Sequence, residues 1–195
     1  VAILPFLGVG GMQLYKAEVA GPSKDRLTPR IANTAKLLWF VYVLLCALGT
    51  VLLRYGGMSW FDAICHSTAA IATGGFSTRT ASIAAYNSVY IDLVISAFMF
   101  IAGANFSLHY FVMVRGDFKS LVNDEEFRFY SGVVGFFTLT VALNLMINNV
   151  YGGFLVAVRH ALFSVVSIIT TTGYATEDFE KWPAYGHYVL LFLMF

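Results

Sequence analysis

Two short runs in this chain carry one pattern at a spacing of 98 positions: Thr73-Gly74-Gly75-Phe76-Ser77-Thr78 and Thr171-Thr172-Gly173-Tyr174-Ala175-Thr176. Threonine, glycine and a following aromatic are the residue types a cation site made of backbone requires. A dehydrated cation needs a ring of oxygen ligands, and main-chain carbonyls supply them without a fixed charge that would hold the ion too tightly. Turning successive carbonyls to one side takes unusual dihedrals, which glycine adopts at low cost. A threonine hydroxyl adds an oxygen at the base of the row, and the aromatic is expected to wedge the hairpin against neighbouring helices. The candidate ion-binding residues are therefore Thr73, Gly74, Gly75, Phe76, Thr171, Thr172, Gly173 and Tyr174.

Such hairpins must be held by helices. Each run follows an apolar stretch too short to cross a bilayer and precedes a polar loop and a longer apolar run. The order is helix, half-helix, glycine hairpin, helix, which describes a pore loop. The pattern predicts a helix over 31–54, a break at Gly56-Gly57 and a short helix from about Ser59, its N-cap, to Ala72. A loop to Tyr86 and a long helix over 88–114 follow. After a charged turn, 115–126, the unit repeats: a helix over 127–149, a break at Gly152-Gly153, a half-helix to Thr170, a hairpin, a loop and a helix opening near Ala184. The same spacing aligns Ala63 with Ala161, and internal duplication is common in membrane transport folds. Each half-helix would aim its partially negative C-terminal end at the place where a cation dwells. The expected domains are 1–18, the end of a preceding unit's inner helix; 19–30, a cytoplasmic connection; 31–116, one complete unit; and 117–195, a second unit that stops within its last helix. Val1–Gly10 has no basic segment or small-residue cleavage site and is read as a helix end, not a signal peptide. The chain is expected to be an internal piece of a longer protein.

Composition agrees. The chain has 195 residues, 58% hydrophobic and 12% charged, against roughly 25% charged in a soluble domain. An all-α, multi-pass membrane protein in contact with the lipid bilayer follows, with no nucleic-acid partner expected. Charge-free windows over 37–53, 93–114 and 129–158 approach or exceed the ~20 residues a spanning helix needs. Lys16, Lys24, Arg26, Arg30 and Lys36 form one basic cluster and Arg115, Lys119 and Arg128 another; both are assigned to the cytoplasm. The hairpins then dip in from the outer side.

Other residues admit rival readings. His66, His109, His160 and His187 suit proton relays or plain hydrogen bonding; by register the counterpart of His66 is Ser164. Asn105 suits an interhelical hydrogen bond or a pore-lining kink. Asp62, Glu177, Asp178 and Glu180 either concentrate cations at the mouth or pair with Arg79, Arg159 and Lys181. Arg128 behind Asp124-Glu125-Glu126 marks a solvated helix start. Cys46 and Cys65 read as small apolar residues. An intramembrane hydrolase using Ser67, His66 and His160 is the alternative from another class, but no Gly-x-Ser-x-Gly or His-Glu-x-x-His motif is present, so no enzyme activity is expected.

Thr-x-Gly-aromatic also resembles the Thr-Val-Gly-Tyr-Gly filter of potassium channels. Together with Gly8–Tyr15, Ala102–His109 and Lys181-Trp182-Pro183, the two runs resemble the bacterial Trk-type potassium uptake proteins (the TrkH/TrkG type, in the Trk/Ktr/HKT superfamily) over essentially the whole chain. The resemblance implies potassium transport across the cytoplasmic (inner) membrane through a carbonyl-lined filter, with proton- or sodium-coupled symport left open. It implies four helix–pore loop–helix repeats in one polypeptide, a homodimer and a cytoplasmic nucleotide-binding regulatory subunit of the TrkA type. By that resemblance the chain holds the end of repeat one, all of repeat two and repeat three up to its last helix, and the gating loop lies beyond Phe195. Potassium is the transported ion, and no covalent cofactor is implied. Gly75→Ser or Gly173→Ser should reduce preference for potassium over sodium with little loss of folding.

Overall fold

The computed structural model describes residues 31–105 and 118–194, with Leu108, His109, Val112 and Gly116 between them. The expected helix end at 1–18 and connection at 19–30, with the motif Gly8–Tyr15, lie outside the described residues. All regular structure among those described is helical.

Helix α1 spans Ile31–Tyr55. Its last turn closes with Met58 N–H on the Leu53 carbonyl and Gly57 N–H on that of Arg54, while Gly57 sits at φ 98°. This is a Schellman ending with glycine where the left-handed conformation is needed. The half-helix α2, Trp60–Ile71, starts at Ser59, whose hydroxyl accepts from Asp62 N–H as expected of an N-cap. A 3₁₀ turn, Ser82–Tyr86, leads into α3, Val89–Ala102.

Here the expectation of one helix to residue 114 fails. The Phe100 carbonyl accepts from the Tyr130 hydroxyl at 3.2 Å, and the two rings stack at 4.9 Å. At the next turn a side chain on Gly103 would stand 2.6 Å from Tyr130 Oη and 2.7 Å from Thr170 Cγ2. The helix ends where other elements come too close for it to continue, and Asn105 falls at the break rather than mid-helix.

The expected charged turn contains a short helix, α4, Phe118–Asn123. Helix α5, Glu125–Ile147, opens with Asp124 accepting from Phe127 N–H at 2.8 Å. The second half-helix, α6, Phe154–Ile169, and α7, Ala184–Leu193, complete the order. Among the described residues, Lys36–Tyr55 of α1 and α5 are long and apolar enough to span a bilayer. Both turn large apolar side chains outward, Phe40, Leu48 and Val51 on one and Phe129, Phe136 and Leu143 on the other, as a lipid-facing helix does.

Of the described residues, 46–103 and 128–194 form one compact unit, and 31–45 with those between 104 and 127 form another. The first unit holds both half-helices and both hairpins. Within it α3 packs against α2 and α6, and α6 packs against α7. Val141, Leu145, Ala161, Val165, Trp182 and Leu190 make the core of its second repeat. In the other unit, Leu38, Val41 and Leu45 are buried along the first half of α1.

Candidate ion-coordination site

Both half-helices end alike. In the first, Thr73 N–H bonds the Ala70 carbonyl and Gly74 N–H that of Ala69; in the second, Thr171 N–H bonds Ile168 and Thr172 N–H bonds Ser167. These are again Schellman endings, but threonine stands in the left-handed position, at φ 51° for Thr73 and 57° for Thr171. A β-branched residue there is a true outlier, costing about 1–2 kcal/mol. Gly75 and Gly173 return to positive φ, 64° and 84°, while Gly74 and Thr172 do not. The sign of φ therefore alternates along each hairpin in the same register.

The helix endings use up the amides and leave the carbonyls. Among the described residues, the main-chain oxygens of Thr73, Gly74, Gly75, Thr171, Thr172 and Gly173 accept no hydrogen bond. The carbonyls of Phe76 and Tyr174 do: Phe76 accepts from the Tyr174 hydroxyl at 3.0 Å, and Tyr174 from Ser167 Oγ at 2.7 Å. The eight expected ligand residues thus divide into six with free oxygens and two whose oxygens are engaged.

The two hairpins touch. A Cβ placed on Gly75 would collide with the Thr172 carbonyl, so glycine is needed there for close approach as well as for φ. The expectation that Gly75→Ser would fold with little loss is thereby corrected. At Gly173 the same construction meets nothing within 4 Å. The aromatics differ too. Tyr174 is 3% exposed and fills the space between the hairpins; Phe76 is 80% exposed. The wedge expected of Phe76 is not formed, because no described element lies on its side of the hairpin. Beyond the hairpins, Ala84 N–H donates to the Ala175 carbonyl at 3.2 Å and Ala175 N–H to Ser82 Oγ at 3.3 Å. Ser82 holds a positive φ of 54° to do so.

A collar of side chains flanks the segments that follow the hairpins. Asp62 accepts from the Thr78 hydroxyl at 2.6 Å and pairs with Arg79 at 3.3 Å. In the first turn of its half-helix, its carboxyl is held down to about 2, first by the Thr78 hydroxyl, with Ser59 and Arg79 adding and burial opposing. Ninety-eight positions on, His160 lies 3.3 Å from the Thr176 hydroxyl. Arg159 donates to His160 Nε2 at 2.9 Å, which leaves Nδ1 as the donor to Thr176. The counterpart of His160 is thus Asp62, a link that adding 98 to Asp62 would have found. His66 donates from Nδ1 to the Asp62 carbonyl at 2.7 Å and accepts at Nε2 from Ser77 at 2.8 Å. His187 donates to the Phe179 carbonyl at 2.7 Å, and His109 is buried. Ser67 donates to the Cys46 carbonyl at 2.7 Å, so the expected grouping of Ser67 with His66 and His160 is not assembled. Of the other acidic residues, Asp178 pairs with Lys181 at 3.4 Å, while Glu177 lies 3.8 Å from His160 Nε2, which as the acceptor from Arg159 makes no ion pair with it. Arg159 pairs with Asp92 at 3.6 Å, a partner sequence reasoning missed because Asp92 was read only as the edge of an apolar window. Cys46 and Cys65 are not joined in a disulfide.

The described residues, helical throughout with two spanning-length helices and two half-helices that end in paired hairpins, have the architecture of a membrane transport protein. The family described as TrkH, a cation transport protein, matches residues 1–195, and the chain belongs to it. It is 47% identical over 194 residues to the Trk system potassium uptake protein TrkH of Escherichia coli K12, covering 98% of this chain and 40% of that protein. It is 38% identical over 207 residues to TrkG of the same strain, covering 100% and 40%. The crystal structure of the potassium transporter TrkH from Vibrio parahaemolyticus matches with a TM-score of 0.81 at 38% identity, over 98% of this chain and 38% of that one. The chain spans about two-fifths of the length of the curated relatives it matches.

Proposed function

We propose that this chain forms part of a potassium-conducting pathway across the bacterial inner membrane, and that the free carbonyls of Thr73–Gly75 and Thr171–Gly173 are among its ion ligands. The observation that carries this reading is the set of six main-chain oxygens that accept no hydrogen bond among the described residues, while the amides of Thr73, Gly74, Thr171, Thr172 and Gly173 are spent on helix ends. An unsatisfied carbonyl at membrane depth costs several kcal/mol, and a dehydrated cation relieves that cost. Two hairpins surround an ion only partly, so further repeats of the same polypeptide complete the ring. The open side of Gly173 and the bare ring of Phe76 are where they would join. A homodimer and a cytoplasmic nucleotide-binding regulatory subunit are the partners this reading brings with it.

The test is uptake by cells that lack their own potassium uptake, with this chain carried in a full-length polypeptide of the family. Rubidium should enter in preference to sodium. Equal entry of both, or none from a correctly inserted protein, contradicts the reading. Residues 1–195 alone in liposomes should pass no rubidium; selective flux from the monomeric piece would overturn the need for further repeats.

A further inference from the structure

We propose that Tyr174 is a specificity-determining positioning residue: its hydroxyl, donating to the Phe76 carbonyl, clamps the two hairpins at a fixed separation and so sets which cation fits between them. The inference rests on the reading of the hairpins as the ion-coordinating elements.

Tyr174 is anchored at both ends. Its own carbonyl is held by Ser167 of the half-helix before it at 2.7 Å. Its hydroxyl lies 3.0 Å from the Phe76 carbonyl and 3.3 Å from that of His66. A phenol has one proton to donate, and the nearer oxygen, Phe76, is its principal acceptor. The ring between these anchors is buried and lies 5.9 Å from the His66 ring. An aromatic with few rotatable bonds, fixed at each end, acts as a strut.

A second contact bounds the same separation from the other direction. Gly75 abuts the Thr172 carbonyl so closely that no side chain fits. The hairpins therefore cannot move together past the Gly75–Thr172 contact, nor apart without breaking the Tyr174–Phe76 bond. Of the free carbonyls, those of Gly75, Thr172 and Gly173 lie at or between these two contacts along the chain, and those of Thr73, Gly74 and Thr171 directly precede them. A sodium ion, being smaller, is coordinated only by ligands free to rearrange around it; a pair held by both contacts cannot rearrange and accepts potassium or rubidium as it stands, whereas breaking the Tyr174–Phe76 bond frees the hairpins to shift and re-form around either ion. Position 76 carries phenylalanine, so the first hairpin has no hydroxyl to offer in return; the bonds of Ala175 to Ala84 and Ser82 tie the second hairpin to the loop beyond the first, and among the described residues the side-chain bond from the second hairpin to the first itself is that of Tyr174.

The experiment measures competing rubidium and sodium flux in liposomes, with this chain carried in a full-length polypeptide of the family. Tyr174→Phe removes the hydroxyl and little else. The rubidium-to-sodium ratio should fall about fivefold, the factor that one hydrogen bond of ~1 kcal/mol corresponds to, with rubidium flux retained. Difluorotyrosine at 174 keeps ring and donor and should keep the ratio. Gly173→Ser, read in parallel, tests the coordination reading itself. A lower ratio in both Tyr174→Phe and Gly173→Ser supports the clamp. A lower ratio with Gly173→Ser and an unchanged one with Tyr174→Phe overturns the clamp and leaves coordination standing. An unchanged ratio in both overturns coordination, and the clamp with it. If Tyr174→Phe does not assemble, the difluorotyrosine protein decides: a ratio below that of the unmodified protein overturns the role of the hydroxyl.

Discussion

The two hairpins share a backbone and differ in everything that surrounds it. Both follow a half-helix closed by a threonine in the left-handed conformation, and both return to positive φ at glycine two residues later. Yet Gly75 is pressed against a neighbouring carbonyl while Gly173 faces open space, and Tyr174 is buried while Phe76 is bare. The difference has a direction. The glycine of the first hairpin meets the second, and the aromatic of the second reaches back to the first. A unit of this kind has a forward face and a backward face, and two units in sequence leave one of each unfilled. Shared features thus report what a hairpin must be to present carbonyls, and unshared ones report where it stands among its neighbours.

Substitution of the glycines should give the largest effects. Gly75→Ala combines a left-handed alanine with a collision against Thr172, and should destabilise by about 3 kcal/mol or more. Gly173→Ala carries the backbone strain alone, about 1–2 kcal/mol, if its forward face stays open. In a full-length polypeptide where a further hairpin seats on Gly173, the two alanines should be equally damaging. Thermal unfolding of both variants in detergent separates these cases, and a milder effect at Gly75 than at Gly173 would break the assigned direction.

The threonines test what is shared. Thr73→Gly and Thr171→Gly each relieve a left-handed β-branched residue and should both leave the unfolding temperature unchanged or raise it, by up to about 1 kcal/mol of stability. Opposite responses would mean that the two endings are not equivalent. Ser167→Ala removes the bond to the Tyr174 carbonyl and should cost about 1 kcal/mol. Its counterpart, Ala69, has no hydroxyl, so Ala69→Gly should not move the first hairpin in the same way in a flux assay.

The smallest effect concerns the collar. Because the carboxyl of Asp62 is held below its ordinary value of 3.8, its contribution is fully present above that value and is lost as pH falls through about 2. Asp62→Asn should therefore lower the unfolding temperature at neutral pH, and the gap from the unmodified protein should close toward pH 2. A gap that does not change with pH would remove the charge of Asp62 from the account. The second hairpin, with His160 in the matching place, should show its acid dependence at higher pH: burial and the neighbouring Arg159 lower the imidazole from its ordinary 6.5, so its contribution is present above 6.5 and is lost as pH falls below it.

Much of this arrangement was legible in the sequence because it rests on local rules. Gly56-Gly57 ended α1, Ser59 capped α2, Asp124 opened α5, and the spacing of 98 placed both hairpins. What stayed hidden depends on contacts between elements. Nothing in residues 88–114 announces that Tyr130 takes the Phe100 carbonyl and that Gly103 is crowded, so an uninterrupted helix was the natural expectation. Threonine is not the residue that sequence rules place at a left-handed cap, and only its surroundings hold Thr73 and Thr171 there. Phe76 and Tyr174 look alike as aromatics, and one hydroxyl separates their roles. Asp62 and His160 are chemically unlike, which concealed that both hold the threonine sixteen positions on.

The most direct test of the central claim is a crystal of a full-length polypeptide carrying this chain, soaked in rubidium or thallium and read by anomalous scattering. Peaks within coordinating distance of the carbonyls of Thr73–Gly75 and Thr171–Gly173 together are the predicted result. Peaks confined to the outer acidic side chains, or approached by only one of the two hairpins, would contradict it.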